Sequence, residues 1–385
     1  MQIVRLKQGC EKRLIKGHKW VFSNEIAEPL KNFSPGWVKI YSHKEAFIGT
    51  GYINPHSLIA VRIISRNEEE PGRAIFLKRI AEASERKKSL YPESTALRII
   101  YGESDNLPGL ILDRYGDVFV CQANTLCMSE HQEIIKECIL ELFSPKAIVF
   151  RNDSRARILE GLKQEKYLAY GSLPERVLVK MNGLNFEVDV LNGQKTGFFL
   201  DQRDNREALR KYAPGRSVLD FYCYDGAWSL VAESAGAAGV TGIDSSPFAV
   251  ERAKNNASIN NLNCKFIKAE ALDVLKSLTR NSQDIIILDP PAFAKSKKDL
   301  PDAIRGYIDI NRRALLALKP GGILVSCSCS YNISYEDFHE VILKAAVSAG
   351  KELRLLESRG QALDHPVLLA MPETAYLKCL ILEAI

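Results

Sequence analysis

From about residue 188 onward the chain alternates short apolar strands with helices, and that alternation fixes the class of fold. Val218-Leu219-Asp220-Phe221 reads as a strand, residues 227–235 as a helix and residues 239–243 as a second strand. A helix over 247–260 follows, then strands at 264–268, 285–288 and 323–327, the last placed after a Pro320-Gly321-Gly322 turn that closes a helix. Strands this apolar need cover on both faces, so the expected architecture is α/β, a Rossmann-like domain around a parallel sheet. Ligands of such sheets bind beyond the carboxyl ends of the strands, where strand order reverses.

A chain of 385 residues exceeds one ordinary domain, so the front half needs its own account. Up to Arg66 it reads as short strands (37–41, 46–48, 59–64) broken by Ser34-Pro35-Gly36 and Asn54-Pro55, a pattern that suits a small β-barrel. Asn67-Glu68-Glu69-Glu70-Pro71-Gly72 breaks regular structure and sets a boundary, giving a first domain of 1–72. A helix over 73–90, a hairpin of 110–112 with 118–123, a helix over 130–143 and a strand over 147–151 make a central α+β domain of 73–187. Residues 188–385 remain for the Rossmann-like domain. The net charge of +5 is modest, but Arg5, Lys7, Lys12, Arg13, Lys16 and Lys19 crowd the first nineteen residues against Glu11 alone. Such a stretch suits a polyanion or a solvated surface equally well.

The opening Met1-Gln2-Ile3-Val4-Arg5 lacks the apolar stretch of a signal peptide, and no run is apolar enough to span a bilayer. Nine scattered cysteines without a C-x-x-C pair argue against disulfides and a structural metal. These features lead us to expect a cytoplasmic protein with no metal and no membrane; the oligomeric state stays open, a homodimer included.

The first strand of the β/α half runs into Tyr222-Cys223-Tyr224-Asp225-Gly226. A dinucleotide site needs G-x-G-x-x-G here so that backbone amides reach a pyrophosphate. This turn has one glycine, and two acids crowd it, Asp225 within it and Asp220 just before it; they repel a pyrophosphate but suit a cofactor whose methionyl end carries an ammonium and a sulfonium. Asp244, before Ser245 at the tip of the second strand, is placed to accept hydrogen bonds from both ribose hydroxyls of such a cofactor. Glu270, before Ala271, follows the third strand and suits the adenine side. Each acid alone also reads as a helix cap or a solvated loop; three on successive strand tips do not. S-adenosylmethionine is therefore the expected cofactor, and an NAD-dependent oxidoreductase is disfavoured.

The fourth strand delivers Asp289-Pro290-Pro291-Ala292-Phe293, a stiff loop where a substrate base would meet the methyl group. The next strand ends Ser326-Cys327-Ser328-Cys329-Ser330. A thiolate at that end is placed to attack carbon-6 of a pyrimidine and make carbon-5 nucleophilic, which that carbon otherwise is not. Buried packing residues are the plainer reading, favoured for Cys327 and level for Cys329.

Several motifs now fall into one order. Gly17-His18-Lys19-Trp20-Val21-Phe22-Ser23, Gly102-Glu103-Ser104-Asp105-Asn106-Leu107-Pro108-Gly109-Leu110 and Asn192-Gly193-Gln194-Lys195-Thr196-Gly197-Phe198-Phe199-Leu200-Asp201-Gln202-Arg203 precede Asp289-Pro290-Pro291-x-Phe293, Ser328-Cys329-Ser330 and Asp364-His365-Pro366. Together they resemble the bacterial large-subunit ribosomal RNA cytosine-C5 methyltransferases with an N-terminal PUA domain, along nearly the whole chain. The resemblance implies an RNA-binding PUA domain, large-subunit ribosomal RNA as partner, and Cys329 as nucleophile with Asp289 at the reaction centre. It implies a cofactor site of Asp220, Tyr222, Asp225, Gly226, Asp244, Ser245, Glu270, Ala271 and Asp289, with residues 196–203, including Phe199, Gln202 and Arg203, folded over the cofactor. Better-known RNA cytosine-C5 enzymes carry a second cysteine in the Pro-Pro loop; Ala292 and Phe293 stand in that region here, which leaves the base for the carbon-5 proton unassigned. The competing readings are the same fold methylating guanine at nitrogen-7 or acting on another RNA, or a non-catalytic, RNA-binding ribosome-assembly factor with a vestigial fold.

Overall fold

A computed structural model describes residues 1–293 and 297–385, with the side chain of residue 297 also left out. The chain forms two compact units. The first comprises 1–179, 188–200 and 363–374; the second comprises 180–187, 201–362 and 375–385.

In the first unit, five strands order as Gln2–Arg5, Gly36–Tyr41, Phe47–Ile53, Val61–Ser65 and Trp20–Val21 around Val4, Leu14, Val38, Ile40 and Val61. A second five-stranded sheet orders as Glu165–Gly171, Ala147–Asn152, Val118–Ala123, Leu110–Tyr115 and Ala96–Tyr101. Helices Arg73–Leu90 and Gln132–Phe143 pack on it through Phe76, Ile80, Ile135 and Ile139. The helix over 73–90 has the bounds that its spacing of Ile75, Phe76, Ile80 and Ala83 predicts. The units cut across the boundaries expected from sequence. Segments 188–200 and 363–374 join the first unit, tied in by buried polar bonds: Thr196 donates to Asp113, and Asp364 accepts from the Arg98 amide at 3.1 Å.

The expected basic face at the N-terminus is largely spent internally. Arg5 pairs with Glu28 and Glu45, Arg13 with Glu25, and Lys19 is buried against the Glu103 carbonyl and Asn106. Lys7, Lys12 and Lys16 are left exposed.

The second unit is the expected β/α domain. Its strands are β1 (Ser217–Phe221), β2 (Gly239–Asp244), β3 (Lys265–Lys268), β4 (Gln283–Leu288), β5 (Leu318–Ser328), β6 (Leu353–Arg359) and β7 (Lys378–Ala384), in the order β3-β2-β1-β4-β5-β7-β6. The first five are parallel, and β7 is antiparallel to both β5 and β6. Helices are α1 (Arg203–Leu209), α2 (Ala227–Ser234), α3 (Pro247–Ile259), α4 (Ala271–Ser277), α5 (Leu300–Ala317) and α6 (Tyr335–Ala349). Two apolar layers follow from strands buried on both faces, one around Phe221, Ile286, Leu288 and Leu324, the other around Val218, Ile285, Ile287 and Val325. The Pro320-Gly321-Gly322 turn requires a correction. The α5 helix ends at Ala317, and the three residues lie inside β5, where Gly321 takes φ +73° beside a shift in the pairing with β4. Strand order reverses between β1 and β4, which puts the ligand-binding end at the tips of β1, β2, β4 and β5. No described helix is long and apolar enough to cross a membrane.

Candidate active site

The turn after β1 is built to bend sharply. Tyr222, Tyr224 and Gly226 all take positive φ, at 63°, 46° and 77°. At Gly226 a Cβ would meet Phe266 at 2.9 Å and Ala253 at 3.0 Å, so the site requires glycine. The bend delivers the Tyr224 amide to Asp244 Oδ2 at 3.0 Å, and the Ser246 amide reaches Asp244 Oδ1 at 2.9 Å. Each oxygen of this half-buried carboxylate thus accepts one backbone bond and keeps lone pairs for a diol. Ser245 is exposed beside it, while Glu270 is an exposed N-cap on α4 and Ala271 is buried behind it. Tyr222 lies near Glu270 and Tyr307, and burial pushes its phenol up to about 12.

Asp220 and Asp225 are deeper than their motif suggests, at 0% and 1% exposed. Asp220 Oδ2 accepts from the Ser229 amide at 3.1 Å and the Ser229 hydroxyl at 2.6 Å, which anchors the first turn of α2; Oδ1 is buried without a hydrogen bond. Burial raises the Asp220 carboxyl to about 7, against the hydrogen bonds from Ser229. Arg252 sits 3.7 Å from Asp225 and stacks over Tyr224 at 5.8 Å. Asp289 accepts from Gln202 at 2.9 Å and Trp228 Nε1 at 3.0 Å, and burial raises its carboxyl as well. Asn205 in turn donates to Gln202 at 2.7 Å. Beneath them the buried Arg206 guanidinium lies among Asp289, Asp201, Asp225 and Asp220, and Arg203 is buried on the same helix. The structure therefore gathers Gln202, Asp220, Asp225, Asp244 and Asp289 around the tips of β1, β2 and β4. Phe199 belongs to the first unit, where Lys195 lies 4.7 Å over its ring.

Cys329 leaves β5 one residue past its end, half-buried, with Sγ 4.0 Å from the Pro290 carbonyl. The two motifs expected to meet at the reaction centre are thus in contact. Cys327 is fully buried, register-paired with Cys379, and burial pushes its thiol well above the ordinary range. Phe293 packs on Tyr307 at 4.5 Å, and the Tyr307 hydroxyl lies 3.3 Å from Ser330 Oγ. Exposed Tyr331 stacks on buried Tyr376 with centroids 5.2 Å apart, and the Tyr376 hydroxyl donates to Asp201. Reading the sequence missed Trp228, Tyr307, Tyr331, Tyr376 and Lys378. Only Lys378 left a signal, a cation inside the run Tyr376-Leu377-Lys378-Cys379-Leu380-Ile381.

Residues 4–66 match a family of PUA-like domains, and residues 163–378 match a family of S-adenosylmethionine-dependent methyltransferases. A Pseudoalteromonas atlantica protein named ribosomal RNA large subunit methyltransferase I is 39% identical over 99% of both chains. A Shewanella frigidimarina protein of the same name is 39% identical over 98% of both. A solved structure from Streptococcus mutans described as a SAM-dependent methyltransferase covers 100% of both chains with a TM-score of 0.84 at 23% identity, a likeness of fold. A second, described as a methyltransferase complexed with SAH, has a TM-score of 0.85 at 22% identity. The half-satisfied Asp244 and the orphaned oxygen of Asp220 fit a cofactor with a ribose diol and a positive charge. This chain belongs to the S-adenosylmethionine-dependent methyltransferases, in the family of the proteins named ribosomal RNA large subunit methyltransferase I.

Proposed function

We propose that the protein methylates carbon-5 of a cytosine in large-subunit ribosomal RNA through a covalent adduct on Cys329. The observation that carries this reading is the contact between Cys329 Sγ and the Pro290 carbonyl, a half-buried thiol held against the Asp289-Pro290-Pro291 loop. A nitrogen-7 guanine target has its own lone pair and gives a thiol there nothing to do. The names of the relatives support ribosomal RNA as the substrate.

In this reading Asp244 holds the ribose hydroxyls, Tyr222, Ser245, Glu270 and Ala271 border the adenine, and Asp220, Asp225 and Asp289 set a negative field. Gln202 and Arg203 close over the same region, and the PUA-like front binds RNA through Lys7, Lys12 and Lys16. Bound S-adenosylmethionine supplies a methyl group on a positively charged sulfur. The Cys329 thiolate adds to carbon-6, and the electron pair of the carbon-5–carbon-6 bond moves onto carbon-5, which takes the methyl group. Loss of the carbon-5 proton to a base or water restores the double bond and expels Cys329 as thiolate. Tyr331, presented on Tyr376 two residues past the nucleophile, gives a flanking base a face to stack on.

Nucleoside mass spectrometry of ribosomal RNA from cells lacking the gene tests the reading. One 5-methylcytosine should be missing, restored by the wild-type gene and not by Cys329→Ser. Loss of a 7-methylguanine instead overturns it.

A further inference from the structure

Strand β7 opens with a charge where its neighbours are apolar. Lys378 is 5% exposed, and its ammonium donates to the carbonyls of Ser330 at 2.7 Å, Ile333 at 2.8 Å and Tyr376 at 2.9 Å. An ammonium has three hydrogens and all three are used; a neutral amine would have only two to give. Lys378 is also the register partner of Ser328, so β7 sets it beside the strand end that Cys329 leaves. Two of its three acceptors belong to the turn that follows Cys329, a turn closed by the Ile333 amide on the Ser330 carbonyl at 3.3 Å. Among the described residues no carboxylate hydrogen-bonds the ammonium, which leaves a buried cation without a paired anion. Such a cation is costly until a negative charge forms nearby. Burial lowers its pKa to about 8, and the two groups that oppose this, in order, are Cys329 and Asp337 at the start of α6.

We propose that Lys378 is a positioning residue for Cys329: it pins the turn that carries the thiol and supplies the positive charge that keeps Cys329 ionised near neutral pH. The inference deepens the role proposed for Cys329 and rests on it for its purpose, but not for its test. Among the described residues, the groups facing Cys329 include Lys378 from β7, Tyr307 from α5, whose phenol burial pushes up to about 12, and the Pro290 carbonyl after β4. Lys378 is the one cation among these, and the phenol stays neutral near pH 7.

Alkylation reads the charge without RNA or cofactor. A thiolate displaces iodide from iodoacetamide, forming a sulfur–carbon bond, whereas a thiol does not react at a useful rate. The rate is followed against pH on the full chain by mass spectrometry of the Cys329 peptide, with the half-buried Cys10 as an internal comparator. The wild type should show a Cys329 midpoint below pH 7.5, against about 8.5 for an ordinary thiol. Lys378→Met should move the midpoint up by one unit or more and slow alkylation at pH 7 about tenfold, and Lys378→Arg should hold it within a few tenths of wild type. An unshifted midpoint in a folded Lys378→Met overturns the proposal. So does a wild-type midpoint at or above 8.5, a result that needs no variant to fold. An ionised Cys329 in a protein whose Cys329→Ser form still methylates RNA would leave Lys378 assigned and remove the nucleophile reading instead.

Discussion

Both units bury carboxylates, and they treat them in opposite ways. In the first unit Asp113 is gripped by Arg98 through Nε at 2.7 Å and Nη2 at 2.6 Å, and Asp105 pairs with Lys87 and Arg86. In the second, Asp220 is hydrogen-bonded by Ser229 and Asp289 by Gln202 and Trp228, all neutral donors, and the buried Arg206 guanidinium lies among these two acids, Asp201 and Asp225. All four are withdrawn from water, yet Asp113 and Asp105 each hold a cation of their own, whereas Asp220 and Asp289 share the Arg206 guanidinium with Asp201 and Asp225. A buried acid with its own cation completes an architecture; acids clustered around a shared guanidinium are suited to balance the charge of a ligand.

Removing an acid from each unit should therefore break different things. Asp113→Ala strands Arg98 in the core and should cost about 3–5 kcal/mol of stability, measured by urea unfolding, with cofactor affinity of the folded fraction unchanged. A loss under 1 kcal/mol would show that the pair is not structural. Asp244→Ala should do the converse. Stability should hold while S-adenosylmethionine binding weakens by about 2 kcal/mol, roughly thirty-fold by calorimetry, and an unchanged dissociation constant would remove Asp244 from the ribose site. The smallest effect sharpens the contrast most. Because the Asp220 carboxyl is raised to about 7, the folded protein favours its neutral form. Its contribution to stability is therefore complete below the unfolded value near 3.9 and is lost as pH rises through 7. A cationic ligand favours the ionised form, so cofactor affinity should fall roughly tenfold between pH 8 and pH 6. Asp220→Asn should flatten that slope; an equal slope in the variant assigns it to another group.

What the sequence disclosed divides along the same line. The β/α half was legible because its information is local: apolar strands of fixed length, an acid or cysteine at each tip, and a turn too poor in glycine for a pyrophosphate. The Cys329–Pro290 contact follows from two motifs on adjacent parallel strands. The partition into units was not legible, since it rests on bonds such as Thr196 to Asp113 and Asp364 to Arg98, which join residues far apart and leave no periodic trace. Which of the N-terminal cations stay open to solvent was not legible for a related reason. Arg5, Arg13 and Lys19 find partners at Glu45, Glu25 and Asn106, which local charge counting does not see. Asp220 was correctly placed at a strand tip, but its depth under Ser229 depends on how α2 packs back on β1.

The central claim is that Cys329 forms a bond to its substrate, and a stalled reaction tests it most directly. Large-subunit RNA carrying 5-fluorocytosine, incubated with the protein and S-adenosylmethionine, gives an adduct from which fluorine cannot leave as a proton does. The account predicts a protein–RNA complex that survives a denaturing gel, maps to the Cys329 peptide, requires the cofactor and is absent in Cys329→Ser. Complete methylation of ordinary RNA by Cys329→Ser, with no trapped species from the wild type, would contradict it.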